Sequence, residues 1–297
     1  MPKSAPDKSN ARATFRFRTE AAVALCALLC CAIRAGAWGR EAHEMITAAA
    51  IKTLPKPLRS YFQPNQFYLV EHASDPDQLA GENPAEQQHH FADVDAYESY
   101  PFSHFRKQFV TDHAPPTADE IKNGDAMWQI ERFTLLLASD FRRGDWSAAN
   151  HDAVFAAHYA ADLTQPLHTV ANYDGQKTGQ EGIHQRFETG VVRLNADRWV
   201  LHPHPAENII NLRQRIFDEF LQSYEASRTV FAMDKQARAE APYTSPEFLP
   251  SFSHLAGPLA RARVEDAASF VGSLWYTAWV RAGAPDLSRW KTGSPHN

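Results

Sequence analysis

The chain has 297 residues, with 30 Lys/Arg against 35 Asp/Glu, a formal net charge of −5, and 14 histidines but only 3 cysteines. This acidic balance argues against a protein that grips a polyanion by bulk electrostatics. Cys26, Cys30 and Cys31 all fall within the first 37 residues, which excludes a disulfide framework from the rest.

That first stretch reads as a targeting segment. Lys3, Lys8, Arg12, Arg16 and Arg18 make a basic start, and Ala21 to Ile33 is an apolar run of signal-peptide length. The run is too short to span a bilayer comfortably. Ala35-Gly36-Ala37 places small residues just before Trp38, as a signal peptidase requires. The expectation is a signal peptide over 1–37 and a secreted or periplasmic mature chain over 38–297 without a transmembrane segment; an N-terminal anchor helix is the alternative. Six of the 30 Lys/Arg and two of the 35 Asp/Glu lie in the segment, so the remainder carries 24 against 33, a formal charge of −9. Every histidine lies in that remainder, which points towards metal.

Downstream, Arg40 to Thr53 has the apolar spacing of an amphipathic helix, ended by Pro55 and Pro57. Prolines at 64, 76, 84, 101, 115 and 116 predict an irregular stretch over 60–116, which carries Asp75, Asp77, His89, His90 and Asp93. A loop of that length in a compact domain is usually functional. Thr117 and Glu120 form a capping-box pattern for a helix to about Arg143, followed by a Gly144-Asp145-Trp146 turn. Ser147 is placed to cap the next helix, which runs to about Leu163 before Pro166. After a Gly-rich loop over 173–182, a helix starts near Ile183. Pro205 is read as the first residue of a long helix to about Ala232, Ala239–Pro250 as a loop, and Gly257–Ala282 as the last helix. No period-2 stretch suggests strands, so the fold class is all-α, a single multi-helix bundle with a metal cluster at its centre.

The chemistry concentrates in His158-Tyr-Ala-Ala-Asp162-Leu-Thr-Gln-Pro-Leu-His168 and in His184-Gln-Arg-Phe-Glu188. Residues four apart project from one helix face. Asp162 therefore sits one turn from His158, and Glu188 one turn from His184. Each pair offers an imidazole nitrogen and a carboxylate to a common point, the donor mix that suits zinc.

Four motifs in order, W-G-x3-H at 38–43, H-F-x-D at 90–93, the 158–168 stretch and G-I-H-x3-E at 182–188, resemble the superfamily of zinc-dependent phospholipases C and single-strand-specific nucleases. The resemblance covers essentially the whole chain after residue 37. It implies three zinc ions: one held by Asp77, His90, His158 and Asp162, one by His168, His184 and Glu188, and one by the amine and carbonyl of Trp38 with His43 and a shared oxygen of Asp162. Asp75 is the alternative to Asp77, and His89 the neighbour of His90. His72, His104, His113, His151, His202, His204 and His254 match no ligand position. Asp93 reads as a hydrogen-bond partner for a ligand histidine. Asn172 is a candidate contact for a substrate phosphate, with a turn role as the alternative. Asp77 is the candidate proton acceptor from an attacking water.

The implied activity is hydrolysis of phosphate esters. Its substrate is a phospholipid or a single-stranded nucleic acid or nucleotide, and nothing in the sequence points to a stable protein partner. Glu188, where nucleases usually carry Asp, and the short interval from His168 to His184 favour phospholipase C. The short spacing from Trp38 to His43 favours the nuclease branch. A non-catalytic zinc-binding protein is the reading outside the enzymes.

Overall fold

A helix that is apolar on every side has to be buried, and the bundle is built around one. In the computed structural model, which describes residues 38–287, helix α7 (Trp146–Thr164) is buried without a break from Asp152 to Thr164. The signal peptide expected over 1–37 lies outside the described residues. Small side chains at Ala153, Ala156, Ala157, Ala160 and Ala161 are all buried along α7, which lets neighbouring helices approach it closely. His158 and Asp162, on the same helix, are therefore held in the middle of the molecule. The fold is all-α, and no strand occurs among the described residues.

Helix α1 (Arg40–Thr53) has the predicted bounds and stops where Leu54 turns extended before Pro55. The stretch after it is more regular than its prolines suggested. It forms α2 (Lys56–Phe62), α3 (Gln66–Glu71), α4 (Asp75–Glu82), two 3₁₀ turns (Glu86–His90 and Val94–Ala96), and a helical run Ser103–Arg106 that widens into a π turn. Pro57 and Pro76 sit in the first turns of α2 and α4, where a missing N–H leaves no bond unmade. A proline there marks a helix start rather than its absence.

The capping box forms, with the Thr117 N–H donating to Glu120 Oε2 at 2.6 Å and the Glu120 N–H to Thr117 Oγ1 at 3.3 Å. The helix it opens, α5 (Ala118–Lys122), ends after five residues, and α6 (Ala126–Arg143) starts afresh. Gly124 makes the break: it adopts φ +96°, and a Cβ there would lie 2.2 Å from the Phe91 carbonyl oxygen. The freed backbone docks the segment bearing His90, with the Asp125 N–H donating to Gln88 O at 2.9 Å and the Ala126 N–H to Phe91 O at 3.2 Å. Asp145 rather than Ser147 caps α7, accepting from the Ala148 N–H at 3.1 Å.

The two longest helices, α8 (Leu212–Glu240) and α9 (Phe248–Arg281), both depart from the sequence expectation. Pro205 does not open α8. The segment 200–209 runs alongside α9 instead, because side chains of α9 take its N–H groups. His202 donates to Glu265 Oε1 at 2.9 Å, His204 to Ser269 Oγ at 2.9 Å, Glu207 to Ser273 Oγ at 3.1 Å and Ile209 to Thr277 Oγ1 at 2.8 Å, each from the backbone. Those acceptors are four residues apart and form one row on the helix. The N-terminus of α8 is then set by Asn211, whose Oδ1 accepts from the Gln214 N–H at 3.1 Å. Helix α9 begins at Phe248, not Gly257, with Pro250 in its first turn and Phe248 and Phe252 buried one turn apart; Pro258 lies inside it. No helix among the described residues is long and apolar enough to cross a membrane.

Candidate metal centre

Three groups of donor atoms, all buried except those of the half-buried Asp77, lie in the bundle, each group drawn within 4.8 Å: His43, His158 and Asp162; Asp77, His90 and His158; and His168, His184 and Glu188. The structure thus brings together eight of the nine candidate ligands. They come from α1, α4, the Glu86–His90 turn, α7, the 3₁₀ turn Pro166–Thr169, and the segment 183–191.

Asp162 joins the first two groups. Its Oδ1 lies 3.2 Å from His43 Nε2, while its Oδ2 lies 2.9 Å from His90 Nδ1 and 3.3 Å from His158 Nε2. Asp77 Oδ1 faces the same point, 3.7 Å from His90 Nδ1 and 3.6 Å from His158 Nε2. Its side chain is 20% exposed where that of Asp162 is 0%, so this set opens outward at Asp77. The rings of His43 and His158 stack at 4.1 Å. In the third group, Glu188 Oε2 is 2.8 Å from His184 Nε2 and 3.7 Å from His168 Nε2, and the two imidazole nitrogens are 3.0 Å apart.

These separations test whether zinc fits. Ligands about 2.0–2.1 Å from a tetrahedral zinc lie about 3.3 Å from each other, within the range observed. The tautomers agree as well. His158 Nδ1 lies 2.8 Å from Ala73 O and His168 Nδ1 lies 2.6 Å from His90 O, so both must donate there and keep the Nε2 lone pair for the centre. His43 Nε2 and Asp162 Oδ1 are buried without a hydrogen-bond partner, a cost that a cation between them removes. The residues fit the ion.

The electrostatics show how closely the donors are coupled. Burial works against charge on both His158 and Asp162, yet Asp162 and Asp77 hold His158 well above the usual imidazole range, and His158 holds Asp162 well below the usual carboxylate range. Burial also raises Asp77, but His158 and then His43 outweigh it, and the carboxyl sits below its ordinary value. Burial lowers His43, and His158 lowers it further. In the third group burial dominates: it pushes Glu188 up to about 8 and His184 down to about 4. A divalent cation at that point favours the ionised carboxylate over the protonated one.

Trp38, the ninth candidate, is fully buried, with its ring 5.8 Å from that of Phe187. The next residue, Gly39, precedes α1 at a close crossing: a Cβ there would lie 2.9 Å from Thr189 Oγ1. A side chain there would have to displace the Thr189 hydroxyl, on the turn that carries Glu188. Asp75 is bonded to His72 at 2.7 Å and His89 to Asp125 at 2.6 Å, both away from the donor groups. Among the described residues none of the other seven histidines without a ligand match joins a group. Asn172 organises its own loop, with Nδ2 donating to Thr178 Oγ1 at 3.1 Å and Oδ1 accepting from the Lys177 N–H at 2.7 Å. Asp93 does not orient a ligand imidazole; the carbonyls of Ala73 and His90 do, and Asp93 Oδ1 is buried without a partner. Burial, with Asp95 adding to it, pushes that carboxyl up to about 8.

Sequence reasoning left Gln165 without a role. Its Nε2 lies 3.2 Å from His184 Nε2 and 3.4 Å from Glu188 Oε2, and its Oε1 accepts from the Leu167 N–H at 2.5 Å. The signal available was its place before Pro166, where a buried amide can cap the turn that presents His168.

The sequence matches no protein-family model and no curated protein. Solved structures do resemble it. The fold is similar to that of Alpha Toxin from Clostridium absonum, with 18% identity and a TM-score of 0.50 over 80% of this chain and 63% of that one. A second similar structure is the Clostridium perfringens alpha-toxin isolated from avian strain SWCP, with 18% identity and a TM-score of 0.46 over 86% of this chain and 67% of that one. The chain thus spans less than two thirds of the length of the first, and at this identity the likeness is one of fold.

Proposed function

We propose that the protein is a zinc-dependent phosphoric ester hydrolase of phospholipase C type, exported and active once cleavage before Trp38 frees its amine. The observation that carries this reading is the division of Asp162 between two donor groups, Oδ1 towards His43 and Oδ2 towards His90 and His158. A bridging carboxylate is how ions are held close enough to act on one phosphate. The motif resemblance supplies the reaction class; the likeness to an alpha toxin is one of fold and leaves the substrate to experiment.

His90, His158, Asp77 and Asp162 would hold one zinc, His168, His184 and Glu188 a second, and Trp38, His43 and Asp162 a third. Zinc so held would polarise a phosphoryl oxygen and bring the pKa of the attacking water to around 7. The protein's own part is positional. The carboxylates of Asp77, Asp162 and Glu188 offset the positive charge, so that an anionic product can leave. Asp77, held below its ordinary value by His158 and partly exposed, would accept a proton from the attacking water. Tyr173, 44% exposed with its ring 5.8 Å from that of His184, offers an aromatic face beside the third group.

The test is the mature protein beginning at Trp38, assayed on bis-p-nitrophenyl phosphate, phosphatidylcholine and single-stranded DNA, with its zinc measured. Three zinc equivalents with release of diacylglycerol are expected. Release of 5′-nucleotides without diacylglycerol moves the protein to the nuclease branch. Three zincs without turnover on any substrate sink the enzyme reading. A chain keeping one residue before Trp38 should lose most of its activity; full activity removes the amine from the ligand set.

A further inference from the structure

His184 and Glu188 stand on a short and irregular support. Ile183–Gln185 is three residues of helix, Arg186–Val191 is a π turn, and a Gly-containing loop precedes both. So few residues have little helical stability of their own, yet two of the three donors in the third group depend on them.

Arg186 lies midway between the two donors in sequence. Residues two apart on a helical turn point to roughly opposite sides, so Arg186 projects from the back of the surface that His184 and Glu188 present. There its guanidinium is held on several sides. Nε and Nη2 donate to Asp234 Oδ1 at 3.2 and 2.9 Å, Nη2 also to Gln180 O at 3.0 Å, and Nη1 to Glu181 O at 2.7 Å. Asp234, fully buried on α8, is completed on its other oxygen by Gln180 Nε2 at 2.9 Å and the Tyr243 hydroxyl at 2.5 Å. The guanidinium also packs 4.3 Å from the ring centre of Tyr243 and 5.5 Å from that of Phe248. One side chain thus ties the turn to the loop before it, to α8 and to the start of α9.

We propose that Arg186, anchored on Asp234, is a positioning residue for the third donor group: it fixes the turn so that His184 and Glu188 converge, and thereby sets how tightly the ion there is retained. The inference rests on the zinc reading above. A planar fork bonded on several edges is not replaced by an ammonium, so Arg186→Lys keeps the charge and loses the geometry.

The experiment compares the mature wild-type protein with Arg186→Lys and Asp234→Asn. Zinc is counted by mass spectrometry after equilibration with graded chelator, and the cobalt-substituted proteins are compared by visible absorption. Wild type should retain three equivalents. Both variants should release one of the three at chelator strengths about tenfold to a hundredfold lower, with a changed cobalt spectrum and the other two ions held as before. Arg213→Lys is the control, since Arg213 forms a similar partly buried pair with Glu131 and touches no donor residue. It should lower the melting temperature and leave zinc retention alone. If Arg186→Lys fails to fold, Tyr243→Phe removes only the hydroxyl from Asp234 and should loosen the same ion by a smaller factor. Retention of all three ions at wild-type strength with an unchanged cobalt spectrum, in whichever of these variants folds, overturns the inference and leaves the zinc reading standing. A wild-type protein that binds no zinc overturns the zinc reading itself.

Discussion

The donors around Asp162 and the trio His168, His184 and Glu188 use the same chemistry on different foundations. In the first set, His158 and Asp162 stand on the buried centre of α7, and α1 and α4 bring His43 and Asp77 to them by packing. In the second, His184 stands on a three-residue helix and Glu188 on the π turn that follows it, a support fixed by polar contacts to the flanking helices. The titration behaviour divides in the same way. Opposite charges raise His158 and lower Asp162, whereas burial pushes Glu188 up to about 8 and leaves it short of compensating charge. The expectation that follows is that the pinned turn depends more on single contacts than the donors on α7 do. π turns inside helices are often found at such positions.

The sharpest way to break this comparison is Asp162→Asn. Since Asp162 serves two donor groups, the expected result is loss of two zinc equivalents and about a thousandfold or greater fall in hydrolysis, several kcal/mol at the transition state. Zinc content and turnover of bis-p-nitrophenyl phosphate measure both, and loss of a single ion would mean that the carboxylate does not bridge. Glu188→Gln should do less, removing one zinc and about a hundredfold of activity, with the Asp162 ions retained. If it empties every position, the two sets are one cooperative unit and the distinction fails.

Smaller effects test the foundations. Gly124→Ala forces a Cβ into the Phe91 carbonyl at positive φ and should cost about 3 kcal/mol, seen as a lower melting temperature together with weaker zinc retention through the displaced His90. An unchanged melting point would show that the Phe91 segment yields freely. Thr277→Ala removes one acceptor from the row under segment 200–209. It should lower stability by about 1 kcal/mol, or about 2–4 °C of melting, with zinc content unchanged. Any loss of zinc would tie that remote segment to the metal centre.

The histidine and carboxylate spacing made much of the candidate site legible before any coordinates. A divalent ion needs donors from one face, and H-x3-D and H-x3-E supply them whenever the local backbone is helical. The helix around His158 and Asp162 was equally plain, because alanine and apolar residues persist through it and Pro166 ends it. The departures came where a single residue's context overrode its usual meaning. Pro57 and Pro76 looked like interruptions and proved to be helix starts. Thr117 and Glu120 announced a long helix that Gly124 cuts short, and Pro205 announced one that the hydroxyls of Ser269, Ser273 and Thr277 prevent by taking the N–H groups a helix would have used. Gln165 and Arg186 were invisible as participants, since each acts by touching residues brought to it by the fold.

The sequence by itself determined the all-α class and the central helix, because these depend on local periodicity, while the motif resemblance supplied the candidate donors. Tertiary structure decided the geometry that the resemblance only implied: Asp162 turns Oδ1 to His43 and Oδ2 to His90 and His158, and Asp77 reaches the same point from a separate element. It also decided that the second pair would rest on a short helix running into a pinned π turn. Convergence of residues far apart in the chain is a property of packing, to which Gly124 and the partly buried Arg186–Asp234 pair contribute across elements that no spacing rule connects.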